Sequence, residues 1–314
     1  MRKKIVMYFH RRPLSSDPFQ KLGIKRSVYH SFFKKGTGLG FDMYVANGKE
    51  NYEPPLTFKD AYLYTGNFFE LQKGIIEADA VFDRSGGISF PPVEIGQKTL
   101  NSSEFKHLCH DKNLMGIRLG RFMPRSFVIK NQEELLSQLK SLEGAPLAVL
   151  KPAKGMQGKG ILIDKPENLA HVVLEEKSEY VLQEFVDTSQ GIPGITEGYH
   201  DLRIVVVNGK ITLAHVRTPK EGSLLANVAL GGSIEEVPLE KIPSFILSCV
   251  QEIQAVIDEE FDFPLYSIDF GIQAGSQPFV FELNDQIGFP SEKMNSSELF
   301  IENTLEALAK RASR

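Results

Sequence analysis

The stretch that constrains this chain most runs from Leu147 to Ile163. An apolar segment, Leu147–Leu150, meets Lys151; then come Gly155, Gly158 and Gly160; then a second apolar segment, Ile161–Ile163. The pattern predicts strand, glycine loop, strand. Glycines lack a Cβ and let backbone N–H groups come close to a ligand, and a polyphosphate is the ligand that most needs several such donors beside a cation. Lys151 would supply that cation. Two familiar phosphate loops are excluded by inspection. A P-loop needs G-x-x-x-x-G-K-[ST] ahead of a helix, whereas Lys159 is followed by Gly160 and apolar residues. A dinucleotide fingerprint needs G-x-G-x-x-G between strand and helix, whereas here G-x-x-G-x-G lies between two strands. A tight hairpin whose glycines merely turn the chain would read the same locally, so the rest of the sequence must decide.

A chain of 314 residues is too long for one ordinary core, and two or three packed lobes are expected. A net charge of −4 implies no nucleic-acid surface. Cys109 and Cys249 form neither a disulfide framework nor a zinc spacing and read as small buried hydrophobes in a reducing compartment. The start is basic, but its apolar run stops at His10-Arg11-Arg12, which predicts a first strand and no signal peptide. No run approaches the roughly 18 apolar residues of a membrane span. A soluble, cytoplasmic protein without membrane or nucleic-acid partners is expected.

Short apolar runs at Lys4–Phe9, Asp42–Ala46, Ala61–Tyr64 and Ala78–Phe82, with amphipathic material such as Phe68–Ile76 between some of them, predict an α/β lobe on a mainly parallel sheet. Arg84 follows the last of these strands at its carboxyl end, where open α/β sheets bind ligands. It is a candidate for holding an anionic substrate; an exposed loop arginine without a specific role would look the same. Ser102 or Ser103 caps a helix predicted to run to about Arg118. His107 and His110 share a face of it but find no third ligand, so zinc is set aside. A strand at Pro124–Ile129 precedes a helix over Gln132–Leu142, capped by Asn131, and further elements are a helix at Pro166–Glu176 and a strand at Tyr180–Asp187. Asp201–Arg217 reads as a hairpin turning at Asn208-Gly209, with Asp201 and Arg203 on one face. Leu225–Gly232 is a loop, Pro243–Phe261 a long amphipathic helix, and Ser297 opens a last helix to about Ala312.

Between those helices, Asp269, Glu282 and Asn284 interrupt two strands, Leu265–Ile272 and Pro278–Asp285, that are otherwise strongly apolar. Carboxylates in such surroundings are costly unless paired or metal-bound. Glu282 and Asn284 face the same way, and Asp269 can meet them from the neighbouring strand. A few hard oxygen ligands of this kind suit Mg²⁺ shared with phosphate oxygens. A solvated strand face with scattered charges is the other reading.

In order and spacing, Lys112, the Lys151 hairpin, Gln183-Glu184-Phe185-Val186, Asp201-Leu202-Arg203, Arg217 with Asn227 and Gly231-Gly232, Asp269, and Glu282-Leu283-Asn284 resemble the ATP-grasp superfamily. The likeness is to the branch of the glutathione synthetases and of the ligases that add glutamate to ribosomal protein S6, and also to spore-coat-associated ATP-grasp proteins. It covers residue 101 to the end. The resemblance implies an α/β (α+β) ATP-grasp fold, with an N-terminal α/β lobe over 1–100, a small central lid lobe over 101–187 and a C-terminal catalytic lobe over 188–314. It implies that Lys112 and Lys151 contact ATP phosphates under a lid carrying Gly155, Gly158 and Gly160. Gln183, Glu184, Phe185 and Val186 would form the hinge that reads adenine, with Asp187 at the ribose. Arg203 and Arg217 would stabilise the transferring phosphoryl group and Asn227 help to place it. Asp269, Glu282 and Asn284 would hold two Mg²⁺ ions, and Arg84, Gly231 and Gly232 would lie toward the substrate.

The implied activity is ligation of a carboxylate to an amine through an acyl phosphate, on small-molecule or peptide substrates, with release of ADP and phosphate, by a dimer or tetramer. A kinase acting on a small-molecule hydroxyl from the same scaffold, or a structural protein that binds ATP without turnover, are the alternatives. The sequence departs from the branch at Asp285-Gln286-Ile287-Gly288-Phe289-Pro290, where small residues, Pro and Gly are usual. That loop lies near the acceptor in the family, so no substrate is carried over from a relative.

Overall fold

Three sheets organise the chain. The structure is a computed structural model and describes residues 2–10, 17–53, 56–86, 96–155, 159–226 and 231–314. The first sheet contains β1 (Lys4–Phe9), β2 (Asp42–Asn47), β3 (Tyr52–Glu53), β4 (Thr57–Tyr64), β5 (Phe69–Glu77), β6 (Ala80–Asp83) and β7 (Thr99–Leu100). Its order is β3-β4-β2-β1-β6-β7, with β5 on β4. Only the centre, β2-β1-β6-β7, is parallel, and β3, β4 and β5 pair antiparallel. This corrects the expectation of a mainly parallel sheet. Residues 69–77, taken as amphipathic material between strands, are themselves a strand. Register shifts between Lys59 and Ala61, so the buried residues of β5 are Phe69 and Ile76, seven apart. That interval imitates helical periodicity, because a bulge flips the face on which the strand continues.

The second sheet, order β10-β9-β11-β8, is antiparallel and contains β8 (Ser126–Ile129), β9 (Ala148–Pro152), β10 (Leu162–Asp164) and β11 (Tyr180–Glu184). Leu135 and Leu139 of α4 (Gln132–Lys140 in the chain, after α1 to α3 below) pack on it with Leu150 and Leu182. Asn131 caps that helix by accepting from Glu134 N at 2.9 Å. The helix predicted over 166–176 is one turn, α5 (Pro166–Leu169). Beyond it the β-branched Val172 and Val173 offer no continuing buried stripe, and Val173 is exposed.

The third sheet, order β14-β13-β12-β15-β16, is also antiparallel and contains β12 (Asp201–Val207), β13 (Lys210–Thr218), β14 (Ser233–Glu236), β15 (Leu265–Gln273) and β16 (Gln277–Asn284). The β12–β13 turn at Asn208-Gly209 has φ of 54° and 73°, the primed turn that the Asn-Gly pair predicts. One face of this sheet buries Leu202, Ile204, Val216, Ile268 and Phe270 against α2 (Ser103–His110), α3 (Lys112–Leu119) and α6 (Ser244–Asp258). The single helix expected to run to Arg118 breaks at Asp111. This residue is extended, and its Oδ1 accepts from Asn113 N and Leu114 N at 2.9 and 3.3 Å, starting a new helix at Lys112.

The opposite face divides in two. Val205, Val207, Leu213 and Leu265 join the core that α1 (Arg26–Gly38) and α7 (Ser297–Ala312) build against the first sheet. The polar remainder faces the second sheet. Asn101 ties the lobes together: its Nδ2 donates to Leu265 O at 2.6 Å and its Oδ1 accepts from Leu265 N at 2.7 Å, both buried. Asn101→Ala orphans two backbone groups and is expected to cost about 2–4 kcal/mol, read as a lower urea midpoint at unchanged m. No helix among the described residues is long and apolar enough to cross a membrane.

Candidate active site

Strand register places the charged residues of the third sheet in rows. His215, Arg203, Asp269 and Glu282 are opposed one to the next across β13, β12, β15 and β16. The neighbouring row ends with Ser267 opposite Asn284, and Asp201 stands opposite Arg217. Arg203 donates from Nε and Nη2 to the two oxygens of Asp269 at 2.6 and 2.5 Å. Arg217 donates to both oxygens of Asp201 at 2.5 and 2.7 Å, and from Nη2 to Asp269 Oδ2 at 2.7 Å. Burial would raise the Asp269 pKa, but the two guanidinium groups win and hold it at about 2. Burial pushes Asp201 up to about 6 against the pull of Arg217. His215 is driven down to about 3 by burial and by Arg203 and Arg217, and is neutral at ordinary pH.

The second sheet supplies cations. Lys151, buried on β9, donates to Gln183 Oε1 at 3.0 Å, and Gln183 Nε2 donates to Ser126 Oγ at 2.8 Å. Burial lowers its pKa to about 8, with Glu282 pulling the other way. Lys112 stands at the first position of α3 and donates to Gly155 O at 3.1 Å, and its backbone N–H bonds Ala153 O at 3.1 Å. The break at Asp111 therefore aims Lys112 at the glycine hairpin. In that hairpin Leu150 pairs with Leu162 and Val149 with Ile163, as the sequence predicted. Gly160 takes a φ of 74°, and a Cβ there would stand 3.0 Å from the Pro152 ring.

Between the two sheets lies a cleft of about 880 Å³. Lys112, Lys151, Gln183, Glu184, Phe185, Val186, Arg217, Asp269 and Glu282 line it, so residues up to 170 positions apart in the chain (112 to 282) converge there. A smaller cavity of about 240 Å³ is lined by Lys112, Lys151, Lys159, Pro152, Gly155, Ile161 and Glu282. Arg203 and Asn284 reach the site through Asp269: Asn284 Nδ2 is 3.4 Å from Asp269 Oδ2 and 3.3 Å from Glu282 Oε1. Asp187 does not line the cleft, and its Oδ1 accepts from Ser189 N at 3.0 Å. Gly231 and Gly232 are also off it, and Gly232 is packed so tightly that a Cβ would stand 2.7 Å from Ala226 O. Gly158 and Asn227 lie outside the described residues. Arg84 stands apart from this cleft and is half-buried, not an exposed loop residue.

Sequence reasoning missed Lys159 and the apolar wall of Val149, Ile161, Ile163, Leu224, Leu225 and Phe281. Gly271 makes room for part of that wall, because a Cβ there would stand 2.1 Å from the Phe281 ring. Gly271→Ala must displace the ring at a cost of about 1–3 kcal/mol, so ADP binding measured by calorimetry is expected to weaken about tenfold.

Asp269, Glu282 and Asn284 fit a divalent cation by their donor chemistry. Their side chains converge, and Glu282 makes no ion pair among the described residues, whereas both oxygens of Asp269 are held by arginine. The described residues contain no cluster of three His, Cys, Asp or Glu, so phosphate oxygens would have to complete any such shell.

Two antiparallel sheets clasping a cleft, a glycine hairpin on one and a carboxylate–arginine face on the other, define the ATP-grasp fold, and this chain has it. Residues 112–256 match the family model of the prokaryotic glutathione synthetase ATP-grasp domain. The glutathione synthetase of Synechococcus elongatus is 29% identical over 229 residues, 73% of this chain and 62% of that protein. A probable alpha-L-glutamate ligase of Psychromonas ingrahamii is 30% identical over 129 residues, 40% of each chain. The matches thus span less than two thirds of either relative. Among solved structures, the D-alanyl-alanine synthetase A of Vibrio cholerae superposes with a TM-score of 0.64 at 13% identity, covering 100% of this chain and 98% of that one. The D-cycloserine synthetase DcsG gives 0.63 at 13%, covering 98% and 99%.

Proposed function

We propose that the protein is an ATP-dependent carboxylate–amine ligase that uses Mg²⁺ and forms an amide or peptide bond through an acyl phosphate. The observation that carries this reading is the smaller cavity, whose charged lining is three lysines, Lys112, Lys151 and Lys159, around the single carboxylate of Glu282 beside a glycine hairpin. A triphosphate with a divalent cation is the ligand whose charges complement that arrangement. The relatives, a glutathione synthetase and a probable alpha-L-glutamate ligase, favour ligation over other uses of ATP.

Phe185 and Val186, beyond the last ladder pair of β11 at Glu184, offer backbone to the adenine edge, while Val149, Ile161 and Ile163 cover its faces. Lys112 and Lys151 hold the phosphates under the hairpin. Glu282 and Asn284, with an oxygen of Asp269, would hold Mg²⁺, and two ions fit only if phosphate supplies most ligands. A cation held by these residues would supply positive charge against the triphosphate. Arg217 and Arg203 stabilise the phosphoryl group as it passes to the substrate carboxylate. Closure of the hairpin keeps water from the acyl phosphate until an amine attacks.

The test is ADP release from Mg-ATP with pooled carboxylic acids, with and without hydroxylamine. A hydroxamate supports the ligase. ADP with a phosphorylated hydroxyl compound and no hydroxamate would replace it with a kinase, and stoichiometric binding without turnover would leave only a nucleotide-binding protein.

A further inference from the structure

Two cations outside the nucleotide cleft find no counter-charge among the described residues. Arg84, just past the carboxyl end of β6, is fixed by its backbone N–H to Tyr8 O at 2.8 Å and by its guanidinium lying 5.3 Å from the Phe82 ring centroid. Its Nε and Nη1 are buried without a hydrogen-bond partner among the described residues. Lys25, immediately before α1, is half-buried and close enough to Arg84 that burial and that charge together lower its pKa. Neither enters an ion pair among the described residues. The acids nearby are already engaged: Asp83 with Lys106 at 2.5 Å, Asp285 with His110 at 2.8 Å, and Asp17 with Arg26 at 2.6 Å. Two like charges held near each other and partly out of water destabilise the protein unless an anion joins them.

The loop that departs from the family pattern builds this place. Ile287 and Phe289 are buried in the core. Phe289 stacks on Tyr29, four residues after Lys25, with centroids 4.2 Å apart, and meets Phe82, two residues before Arg84, at 6.1 Å. One aromatic side chain thus braces the supports of both cations. Gly288, between the two anchors, lies under Lys25, and a Cβ there would stand 3.2 Å from Nζ. Lys25 also acts on His215, which stands opposite Arg203 in the row that ends at Glu282. Lys25 thus lies within electrostatic reach of the charged row on the third sheet.

We propose that Lys25 and Arg84, over Gly288, form a seat for a second, non-reacting anionic group of the ligase substrate, a carboxylate or a phosphate. Identifying the occupant as substrate rests on the ligase reading; the seat itself does not. The substrate that enters here is acidic at the end remote from its reacting group.

Equilibrium binding to the full chain tests the seat without turnover. Dicarboxylates of three to six carbons, butyrate and inorganic phosphate are titrated at fixed ionic strength into wild type, Arg84→Gln, Lys25→Gln and Gly288→Ala, with ADP affinity as the control for folding. The best dicarboxylate or phosphate is expected to bind at least tenfold tighter than butyrate. Each of Arg84→Gln and Lys25→Gln should remove that preference while ADP binding stays within twofold, and Gly288→Ala should weaken it by crowding Lys25. Preference for phosphate over every dicarboxylate identifies a phosphate occupant, and the reverse a carboxylate. Equal binding of butyrate, dicarboxylates and phosphate, or a preference untouched by both charge-removing variants, overturns the proposal. Arg84-dependent binding together with a negative hydroxamate assay would keep the seat and remove the ligase.

Discussion

Glu282→Gln is expected to lower turnover about a thousandfold and to leave ADP affinity in the absence of metal within a few-fold. The substitution keeps the volume and the hydrogen bond to Asn284, and removes one charge. It is the informative position of the trio because its carboxylate has no ion pair among the described residues, whereas Asp269 is clasped by Arg203 and Arg217. Loss of Asp269 would disturb a buried network and confuse folding with catalysis. Steady-state ADP release at saturating Mg-ATP, beside calorimetric ADP binding, separates the two effects. Unchanged turnover in Glu282→Gln would sink the metal assignment.

Lys151→Ala is expected to weaken ADP binding about a hundredfold near neutral pH, the scale for truncating one partner of a buried charge contact. The accompanying pH dependence has opposite signs for binding and for stability. Lys151 in the empty protein has a pKa near 8, below its ordinary 10.5, because burial opposes its charge. Nucleotide affinity of the wild type therefore falls as pH rises above about 8, where the free ammonium is lost. Between pH 8 and 10.5 the unfolded chain binds the extra proton, so the empty wild-type protein gains stability relative to Lys151→Ala as pH rises through that window. Urea midpoints and ADP titrations at pH 7 and 10 check both limbs. A variant whose affinity has the same pH profile as the wild type would show that Lys151 does not meet the phosphates.

What could be read from the sequence was local or strictly periodic. The Asn208-Gly209 turn, the glycine hairpin, and the shared face of Glu282 and Asn284 follow from turn chemistry and the two-residue repeat of a strand. The order of motifs then supplied the fold. What escaped was set by tertiary context. A bulge made β5 look helical, and the capping carboxylate of Asp111 cut one helix into two. Val149, Ile161 and Ile163 read as apolar strand residues, because an adenine wall and a core use the same side chains. Lys159 sat in view beside Gly160, but nothing local separates it from a solvated lysine. The place of Arg84 at a strand end is visible in the sequence, yet its pairing with Lys25, some sixty residues earlier, and its lack of a counter-ion among the described residues are set by tertiary context. The pairing of Arg203 and Arg217 with Asp269 shows a further point. Residues expected to bind phosphate and metal also pair with one another, a contact across strands that no local pattern in the sequence reveals.

The most direct test of the account follows oxygen. The acid identified by hydroxamate trapping is prepared with ¹⁸O in its carboxylate and turned over with unlabelled ATP and the amine. An acyl phosphate carries one carboxylate oxygen into the departing phosphate, so inorganic phosphate with a single ¹⁸O is predicted. Phosphate free of label, with ADP and amide still formed, would mean that the carboxylate was never phosphorylated and would contradict the central claim.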